Sequence, residues 1–228
     1  MTFLDLLQRR IRRDGARPLL TCYDADGART ELSATTYGNW VAKSANLLAW
    51  TLDADTGDRI ALPVAVRHPA HWMTLVWVAA CWTVGVEVVL APDPDTVAVV
   101  TGPDLEFGDN AAQRLACSLH PLGLGFASPL PDDVTDWAEV VKGEDDDYVG
   151  SEPTPDDPVW EGRALAEVLD VAPTADRVLV DGRAPLDPLA VARAVLVAPL
   201  LGGGSAVTVL GGDPAAVATG EHAIVVGM

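Results

Sequence analysis

The chain has 228 residues, of which 33 are acidic and 15 basic, so its formal net charge is −18. A surface this acidic repels nucleic acid and anionic membranes, so we expect neither as a partner. Hydrophobic residues make up 49% of the chain, which is enough to bury a sizeable core. The cysteines Cys22, Cys81 and Cys117 show no pair spacing and predict reduced thiols in a cytoplasmic protein.

The N-terminal segment is predicted to be an amphipathic helix. Its basic residues, Arg9, Arg10, Arg12 and Arg13, follow the apolar run Phe3–Leu7. A secretory signal has the opposite order, with basic residues first, so this pattern argues against export. We expect the arginines to form a solvated basic face.

The next hundred residues alternate between strand-like and helix-like segments. The predicted elements are a strand at Leu19–Tyr23, a turn at Asp24–Gly27, a strand at Arg29–Leu32, a helix from Ser33 or Thr35 to about Leu52, a strand at Asp58–Val66, a helix at Pro69–Val84, strands at Val86–Ala91 and Val97–Thr101, a short helix around Ala111–Ser118 and a strand near Leu124–Ala127. This alternation predicts mostly parallel strands with right-handed helical crossovers.

Residues 128–158 interrupt this alternation. They contain five prolines, with 11 acidic residues against one lysine, and predict a surface connector with one short helix within Asp132–Lys142. The alternation then resumes with a helix at about Gly162–Asp170, a strand at Arg177–Val180, a helix at Pro188–Leu201, a strand at Ala206–Leu210, a helix from Ala215 and a strand at Ala223–Val226. The predicted organisation is a first αβ half (1–127), the connector (128–158) and a second αβ half (159–228), interlocked in one globular unit.

One block of the sequence recurs about 120 residues later. Asp58–Leu62 returns as Asp176–Val180, and each copy is followed by an apolar stretch that ends in glycine, at Gly85 and Gly204, before a strand. Two copies of a strand–helix–strand unit predict an α/β protein with two pseudo-symmetric αβ subdomains.

Two long uncharged stretches need a comparison with membrane spans. His68–Val86 and Ala194–Gly212 each run for 19 residues without a formal charge, near the spanning threshold. Pro199 and the glycines at 202–204 break the second stretch, and Gly85 ends the helical part of the first. Both are better explained as a buried helix that leads into a buried strand.

Histidine and cysteine chemistry is weakly indicated. His68 and His71, at spacing i, i+3, could hold a metal ion or could pack and cap the start of a helix, and we favour the second interpretation because no acidic residue is near them in sequence. His120 and His222 are isolated, and Cys81 lies in the most apolar helix, where a thiolate is disfavoured. No serine lies in a Gly-x-Ser-x-Gly motif.

Three segments resemble anion or cation sites but depart from their rules. Gly202–Gly204 follows a helix and opens a strand, which is typical of helix termination and not of a phosphate loop. Gly211–Asp213 precedes a helix but carries a carboxylate where phosphate would bind. The contiguous carboxylates of Glu144–Asp147 lack the spacing of a calcium loop. The sequence therefore predicts no catalytic residue, no metal ligand and no cofactor, and leaves any ligand-binding residues unassigned.

Five blocks share the order and spacing of a known family. They are Thr36–Ala49, Gly57–Leu62, Val84–Pro92, Asp156–Pro158 and Ala198–Gly203. Together they resemble the N-terminal domain of the acyl-adenylate-forming (AMP-dependent synthetase/ligase) superfamily, which includes acyl-CoA synthetases and peptide-synthetase adenylation domains. The resemblance covers most of residues 15–215, and it implies two pseudo-symmetric αβ subdomains with mostly parallel sheets in a layered arrangement.

The chain departs from this family where the family holds ATP. There, Asp-Asp-Pro leads into a Ser/Thr/Gly-rich phosphate loop that ends in Pro-Lys-Gly, whereas here Pro158 is followed by Val159–Ala164. The family's Pro-x-x-His histidine is replaced, because Pro185 is followed by Leu186–Pro188. The chain stops at Met228, before the family's adenine, ribose and magnesium ligands, so we also expect these and the C-terminal lid to be absent. No catalytic residue of the family carries over.

We therefore expect a shortened, non-catalytic bacterial relative of the AMP-binding acyl-CoA synthetases that acts as a binding or assembly module. One alternative is a binder of an acyl or adenylate small molecule, or an enzyme of unrelated mechanism, that uses the residual cleft. Another is a subunit whose missing half comes from a second chain, in a homo-oligomer or with a different protein partner.

Overall fold

The computed structural model describes residues 1–108 and 113–227. The helices in this part of the chain are α1 (Phe3–Asp14), α2 (Ala34–Asn46), α3 (Pro63–Arg67), α4 (Trp72–Val84), α5 (Trp137–Val140), α6 (Leu165–Leu169), α7 (Pro188–Ala192), α8 (Ala198–Gly202) and α9 (Pro214–Glu221). Two π-helical turns, Leu47–Thr51 and Arg193–Val197, extend α2 and connect α7 to α8, and a 3-10 turn at Val141–Gly143 follows α5.

The strands form two sheets. They are β1 (Pro18–Tyr23), β2 (Arg29–Ser33), β3 (Arg59–Ala61), β4 (Glu87–Val89), β5 (Thr96–Thr101), β6 (Gln113–Ala116), β7 (Thr135–Asp136), β8 (Pro158–Trp160), β9 (Arg163–Ala164), β10 (Arg177–Asp181), β11 (Ser205–Val209) and β12 (Ile224–Val225). One sheet has the order β12-β10-β11-β1-β2 and the other the order β7-β6-β5-β3-β4-β8-β9. Only the β1–β2 and β8–β9 pairs among these strands are antiparallel, which confirms the predicted, mostly parallel α/β architecture.

The sequence repeat corresponds to a structural repeat. In the first copy, β3 and β4 are parallel neighbours joined through α4, with Arg59 opposite Glu87. In the second copy, β10 and β11 are parallel neighbours joined through α7 and α8, with Arg177 opposite Ser205. Each helix ends at a left-handed glycine with φ of 87°. In the second copy this glycine is Gly203, one residue before the position that the sequence suggested.

Helix α4 lies between the two sheets, in contact with β4 of one and β1 of the other. Every residue of α4 is buried, because sheets and the neighbouring helices α1 and α2 cover all its sides. A helix covered on all sides needs no amphipathic stripe, which explains its uniformly apolar sequence. Within the described residues, no helix is long and apolar enough to cross a bilayer. The interpretation of both uncharged stretches as a buried helix leading into a strand is confirmed.

Four predicted elements are wrong or displaced. The strand predicted at Asp58–Val66 ends at Ala61, because Pro63 starts helix α3, where its missing N–H needs no partner. Helix α4 starts at Trp72 and not at Pro69. The described part of the helix predicted around Ala111–Ser118 contains strand β6, while residues 111 and 112 lie outside the described residues. No strand forms at Leu124–Ala127, where the Phe126 N–H donates to the Asp136 carboxylate instead of to a neighbouring strand.

Strand membership crosses the predicted boundaries between the two halves. Strands β1 and β2, from the N-terminal part, belong to the sheet of β10–β12, whereas β8 and β9 extend the sheet of β3–β7. The predicted connector contributes β7 and α5, and Trp137 of α5 is fully buried. The division into two interlocked halves at residues 127 and 158 stays a prediction, although strands from both sides of it share each described sheet.

Candidate functional site

A tight hairpin occupies the position where the family resemblance places a phosphate loop. Strands β8 and β9 pair in antiparallel fashion, and only Glu161 and Gly162 connect them. Both connecting residues have positive φ, 44° and 75°. Left-handed backbone at two consecutive positions is typical of the shortest hairpin turns. The chain thus reverses immediately after Trp160 instead of opening into a loop.

Two carboxylates bind the backbone around this turn. The Gly162 N–H donates to Glu87 Oε1 at 2.6 Å, and the Leu90 N–H donates to Glu161 Oε1 at 2.6 Å. The other Glu87 oxygen, Oε2, accepts from Arg59 Nε at 3.0 Å, and Glu87 is only 6% exposed. Backbone N–H groups of this kind are what holds phosphate in nucleotide sites. Here protein carboxylates already occupy them.

The base of the hairpin is packed into the core. The Trp160 ring is buried and lies edge-on to Trp82 of α4, with 6.2 Å between ring centroids. Trp82 in turn meets the Phe3 ring of α1 at 5.5 Å. Indole rings therefore fill the space beneath the turn.

An open cleft lies elsewhere, at the edge where strands of the five-stranded sheet end. Asp24 follows β1, Gly182 follows β10 and Leu210 follows β11, and all three line a cavity of about 390 Å³. Residues from the segment between β3 and α4 close its other side; they are Arg67, His68, Pro69 and His71. In parallel α/β folds, the carboxyl ends of the strands are the common place for ligands.

His71 forms both the cap of α4 and part of the cleft wall. Its Nδ1 accepts a hydrogen bond from the Met73 N–H at 3.2 Å, so the ring proton is on Nε2. Burial and the neighbouring His68 lower the pKa of His71 to about 3, so the ring is neutral at physiological pH. Nε2 is buried, since His71 is only 3% exposed, and it makes no hydrogen bond of good geometry within the described residues, although the Leu119 backbone is close enough to oppose the lowering of the pKa. The predicted capping role of His71 is confirmed, and the Nε2–H group takes no part in it.

The two arginines of the cleft already have partners. Arg67 Nε lies 2.7 Å from Asp104 Oδ2, and Arg183 binds Asp181 at 2.8 Å. Burial lowers the pKa of His68, against the opposing effect of Asp104. A charged ligand here would have to displace existing ion pairs. Within the described part of the chain, no group of three or more His, Cys, Asp or Glu side chains could hold a metal ion.

The remaining candidate residues have structural roles. Asp213 caps α9 through the Ala215 N–H at 3.0 Å. The acidic run at 144–147 is held against α2, where the Asn46 side-chain amide donates to the carbonyl oxygens of Asp145 and Asp147, at 3.1 and 3.0 Å. His222 ends α9 in a left-handed conformation, and His120 Nδ1 accepts from the Leu122 N–H.

The three cysteines are free and buried. Burial raises the thiol pKa of all three, that of Cys117 to about 12. The core interpretation of Cys81 is therefore confirmed.

Sequence reasoning missed the roles of Glu87 and Glu161. Glu87 is the only charged residue in the apolar run Val86–Leu90, and a lone carboxylate in a buried strand signals a specific partner. Its second partner, Gly162, is distant in sequence, so spacing alone could not have shown it.

The fold is that of acyl-CoA synthetase N-terminal domains. An acyl-CoA synthetase of Brucella canis superposes with a TM-score of 0.67 and 17% identity, over 93% of this chain and 44% of that one. The N-terminal domain of FACL13 from Mycobacterium tuberculosis gives 0.68 and 15% identity, over 98% and 61%. An inhibitor-bound structure of the same domain gives 0.66 and 16%, over 97% and 61%. The chain thus spans about half the length of these structures.

Sequence similarity gives a more specific relationship. No protein-family model matches the chain. A protein of Mycobacterium tuberculosis described as a TIGR03089 family protein is 36% identical in an alignment of 228 residues, which covers 92% of this chain and 90% of that protein. This chain therefore belongs to the TIGR03089 family.

Proposed function

We propose that this chain is a non-catalytic relative of the acyl-CoA synthetases that acts as a binding or assembly module in the cytoplasm. The turn at Glu161–Gly162 carries this proposal. Where the resemblance implies a Ser/Thr/Gly-rich loop around the ATP phosphates, the chain has a two-residue turn whose amide is bound to Glu87.

Electrostatics supports the proposal. Adenylate formation develops charge on an already anionic triphosphate, and it depends on Mg²⁺, cationic side chains and free backbone N–H groups. Glu87 and Glu161 instead bring negative charge to the turn. Two like charges at 4 Å repel by about 4 kcal/mol at the effective dielectric constant of a protein surface. Arg59, the nearest cation to Glu87, is already bound to Glu87 and Asp93.

The test is ATP–pyrophosphate exchange over a panel of carboxylic acids, with an active acyl-CoA synthetase as positive control. We expect exchange no faster than in a reaction without protein. Robust carboxylate-dependent exchange would overturn the proposal if it changes in Glu87→Gln. Exchange that does not copurify with the protein through successive chromatographic steps comes from a contaminating synthetase, whereas exchange that copurifies, whether or not Glu87→Gln changes it, would overturn the proposal.

A second candidate function is small-molecule binding in the cleft of about 390 Å³. The observation that favours it is the buried Nε2–H of His71, which makes no hydrogen bond of good geometry among the described residues. A ligand with a carbonyl or phosphoryl oxygen would satisfy this donor. AMP, an acyl-CoA and a fatty acid are the probes, because the fold relatives include acyl-CoA synthetases.

Thermal unfolding in the presence of each probe tests the small-molecule binding function. A ligand present at a hundredfold excess over its Kd stabilises a protein by about 2.7 kcal/mol, which raises Tm by several degrees. We expect such a shift to be reduced in Arg183→Ala, which changes the cleft wall, and retained in Arg163→Ala, an exposed arginine of β9. The absence of a shift with all three probes would contradict the binding function.

The assembly role makes a separate prediction. Trp50 is 69% exposed and lies beside Tyr148 and Ser151 on the wall of a groove of about 310 Å³. Exposed aromatic surface is enriched at protein interfaces. Light scattering during chromatography should show association that is lost in Trp50→Ser, whereas a strict monomer at all concentrations would argue against self-association.

A further inference from the structure

Another pocket lies on the side of the five-stranded sheet opposite the cleft, at the N-terminal ends of its parallel strands. β1 starts there at Pro18, β10 at Arg177 and β11 at Ser205. The pocket has a volume of about 300 Å³. Its lining residues are Arg10, Arg17, Pro18, Ala175, Arg177, Gly203, Gly204 and Ser205. This site is separate from the turn and from the cleft discussed above.

The lining is basic in a chain that is otherwise acidic. Three of these eight residues are arginines and none is acidic, although acidic residues outnumber basic ones 33 to 15 in the whole sequence. The Arg13 guanidinium also reaches this wall, since a Cβ built on Gly203 would lie 3.1 Å from its Nη1. Four arginines, from the first helix, the segment after it and β10, therefore converge on one place.

The nearby carboxylates do not balance these arginines. Asp14 lies 3.8 Å from Arg10 and 3.0 Å from Arg13, and Glu221 lies 2.6 Å from Arg177. Four guanidinium groups thus face two carboxylates. Arg29 and Glu31 extend the same network with one charge of each sign, so the surplus stays at two positive charges.

Helix dipoles reduce this surplus but do not remove it. Helices α1 and α8 end beside the pocket, at Asp14 and Gly202. The C-terminus of a helix carries a partial charge of about −0.5, so two termini supply about one negative charge. The ion-pair network, which does not include the exposed Asp176 beside Arg177, then keeps about one positive charge.

Arg10 is the buried member of the group. It is 5% exposed, and its Nη1 donates to the Gly203 carbonyl oxygen at 2.7 Å. Its Nε has no hydrogen-bond partner among the described residues. Burial lowers the pKa of Arg10, and Arg13 and Arg17 lower it further, against the opposing effect of Asp14. Burying a guanidinium that is only partly paired costs free energy, which a bound anion would offset.

Ser205 and the two glycines complete the wall. The Ser205 hydroxyl oxygen accepts from Arg177 Nη1 at 3.0 Å, which leaves its O–H able to donate to a ligand. A side chain on Gly204 would clash with the Asp176 carbonyl oxygen, so glycine allows the backbone to approach β10 closely here. Guanidinium groups bind the oxygens of carboxylate and phosphate groups through paired N–H donors, so this lining suits an oxyanion.

We propose that this pocket binds the phosphoryl group of a small phosphate compound free in solution, with Arg10, Arg17 and Arg177 as its ligands. The net charge of −18 makes an anionic membrane or a nucleic acid a poor partner for the same arginines. This site does not depend on the proposed loss of adenylation.

The test is calorimetric titration with inorganic phosphate and pyrophosphate at low ionic strength. The variant is Arg17→Gln, chosen because Arg17 is exposed and its loss should not disturb folding. One charge-assisted hydrogen bond contributes about 1.5–3 kcal/mol, so we expect binding to weaken by about tenfold or more. The control Arg12→Gln removes the same charge from an exposed position on α1 that bonds to Gln8, and we expect less than about a twofold effect.

Three outcomes would overturn the proposal. The first is the absence of binding to either anion at millimolar concentration. The second is an equal loss in Arg17→Gln and Arg12→Gln, which would mean that net charge alone attracts the anion. The third is sedimentation of the protein with phosphatidate vesicles combined with no heat from free phosphate, which would assign the arginines to a lipid surface.

Discussion

The β3–α4–β4 and β10–α7–α8–β11 units share one backbone pattern but differ in electrostatics. In each, the aspartate before the first strand accepts a hydrogen bond from the start of the second strand. Glu87 N donates to Asp58 O at 2.7 Å, and Ser205 N donates to Asp176 O at 3.2 Å. Glu87 and Ser205 therefore occupy equivalent positions, one beside a carboxylate-bound turn and the other in a basic pocket. The same backbone position thus carries a charged carboxylate in one unit and a neutral hydroxyl in the other.

The two connecting helices also differ. Helix α4 is continuous and buried along its whole length, whereas a π-helical turn at Arg193–Val197 separates α7 from α8. Pro199 in the first turn of α8 has no N–H for a bond to the preceding turn. The helix between the two sheets cannot tolerate such irregularity, because both of its sides must pack closely.

The largest expected difference between the units concerns core volume. Trp82 and Leu200 both lie three residues before the left-handed glycine of their unit, and both are buried. We expect Trp82→Ala to lower the free energy of unfolding by about 3–5 kcal/mol, since it leaves a cavity between Phe3 and Trp160. Leu200→Ala should cost about 2–3 kcal/mol. Denaturant unfolding followed by circular dichroism measures both free energies. An equal loss would show that the two units contribute equally to the stability of the core.

The glycines that end the two helices should respond unequally to alanine. Left-handed backbone costs a residue with a side chain about 1–2 kcal/mol. A Cβ on Gly85 would also approach Pro153 Cβ at 2.7 Å, whereas one on Gly203 would meet the flexible end of Arg13. We expect Gly85→Ala to cost about 3 kcal/mol and Gly203→Ala about 1–2 kcal/mol in denaturant unfolding.

Gly220 provides the control for this pair. It lies in helix α9, and a Cβ added there would meet no other atom within 4 Å, so Gly220→Ala should stabilise the protein by about 0.5–1 kcal/mol. A loss of stability there would mean that alanine is harmful for reasons other than backbone conformation and close contact.

The equivalent polar positions allow a third test. Glu87→Gln keeps the shape but removes the charge that binds Arg59, and we expect a cost of about 1–3 kcal/mol. Ser205→Ala removes one neutral acceptor of Arg177, which keeps its bonds to Thr21 and Glu221, so the cost should be about 0.5–1 kcal/mol. Thermal and denaturant unfolding give the values, and the reverse order would contradict the structural role of Glu87.

A further difference is a pH dependence that involves Arg177 of the second unit. Hydrogen bonds from Arg29, Tyr23 and Arg177 lower the pKa of Glu221 to about 2, against the opposing effect of burial. A carboxylate with a lowered pKa in the folded state contributes stability above its unfolded value of about 4.5, and this contribution is lost as pH falls toward 2. We expect Glu221→Gln to be less stable than the parent by on the order of 1 kcal/mol at pH 7.

The difference between the parent and Glu221→Gln should shrink between about pH 4.5 and pH 2. Denaturation midpoints measured across that range test the sign. Glu139→Gln, at an exposed position, should show no such convergence. A gap that stays constant with pH would mean that the Glu221 carboxylate is not held by the arginines.

The sequence predicted the repeat and the buried α4 because both depend on local signals, a recurring Asp-Arg block and a long apolar run. It failed at β6, where the alanine-containing segment favoured a helix, because a four-residue strand is defined by its pairing with its neighbours β5 and β7. The residues that follow Pro158 in the sequence already indicated that a phosphate loop is missing at this point. The sequence could not predict the Glu87–Gly162 contact or the approach of Arg10 to Arg177, because each joins residues that are far apart in the chain.

The three buried cysteines make local opening of the folded protein measurable by thiol labelling. None presents a thiol to solvent in the folded state, and burial keeps each thiol protonated. A labelling reagent can therefore react only when a sheet or α4 separates from its neighbours. The rates at Cys22, Cys81 and Cys117 report on β1, on α4 and on the loop after β6, so a single labelling experiment would reveal which layer of the domain loosens first.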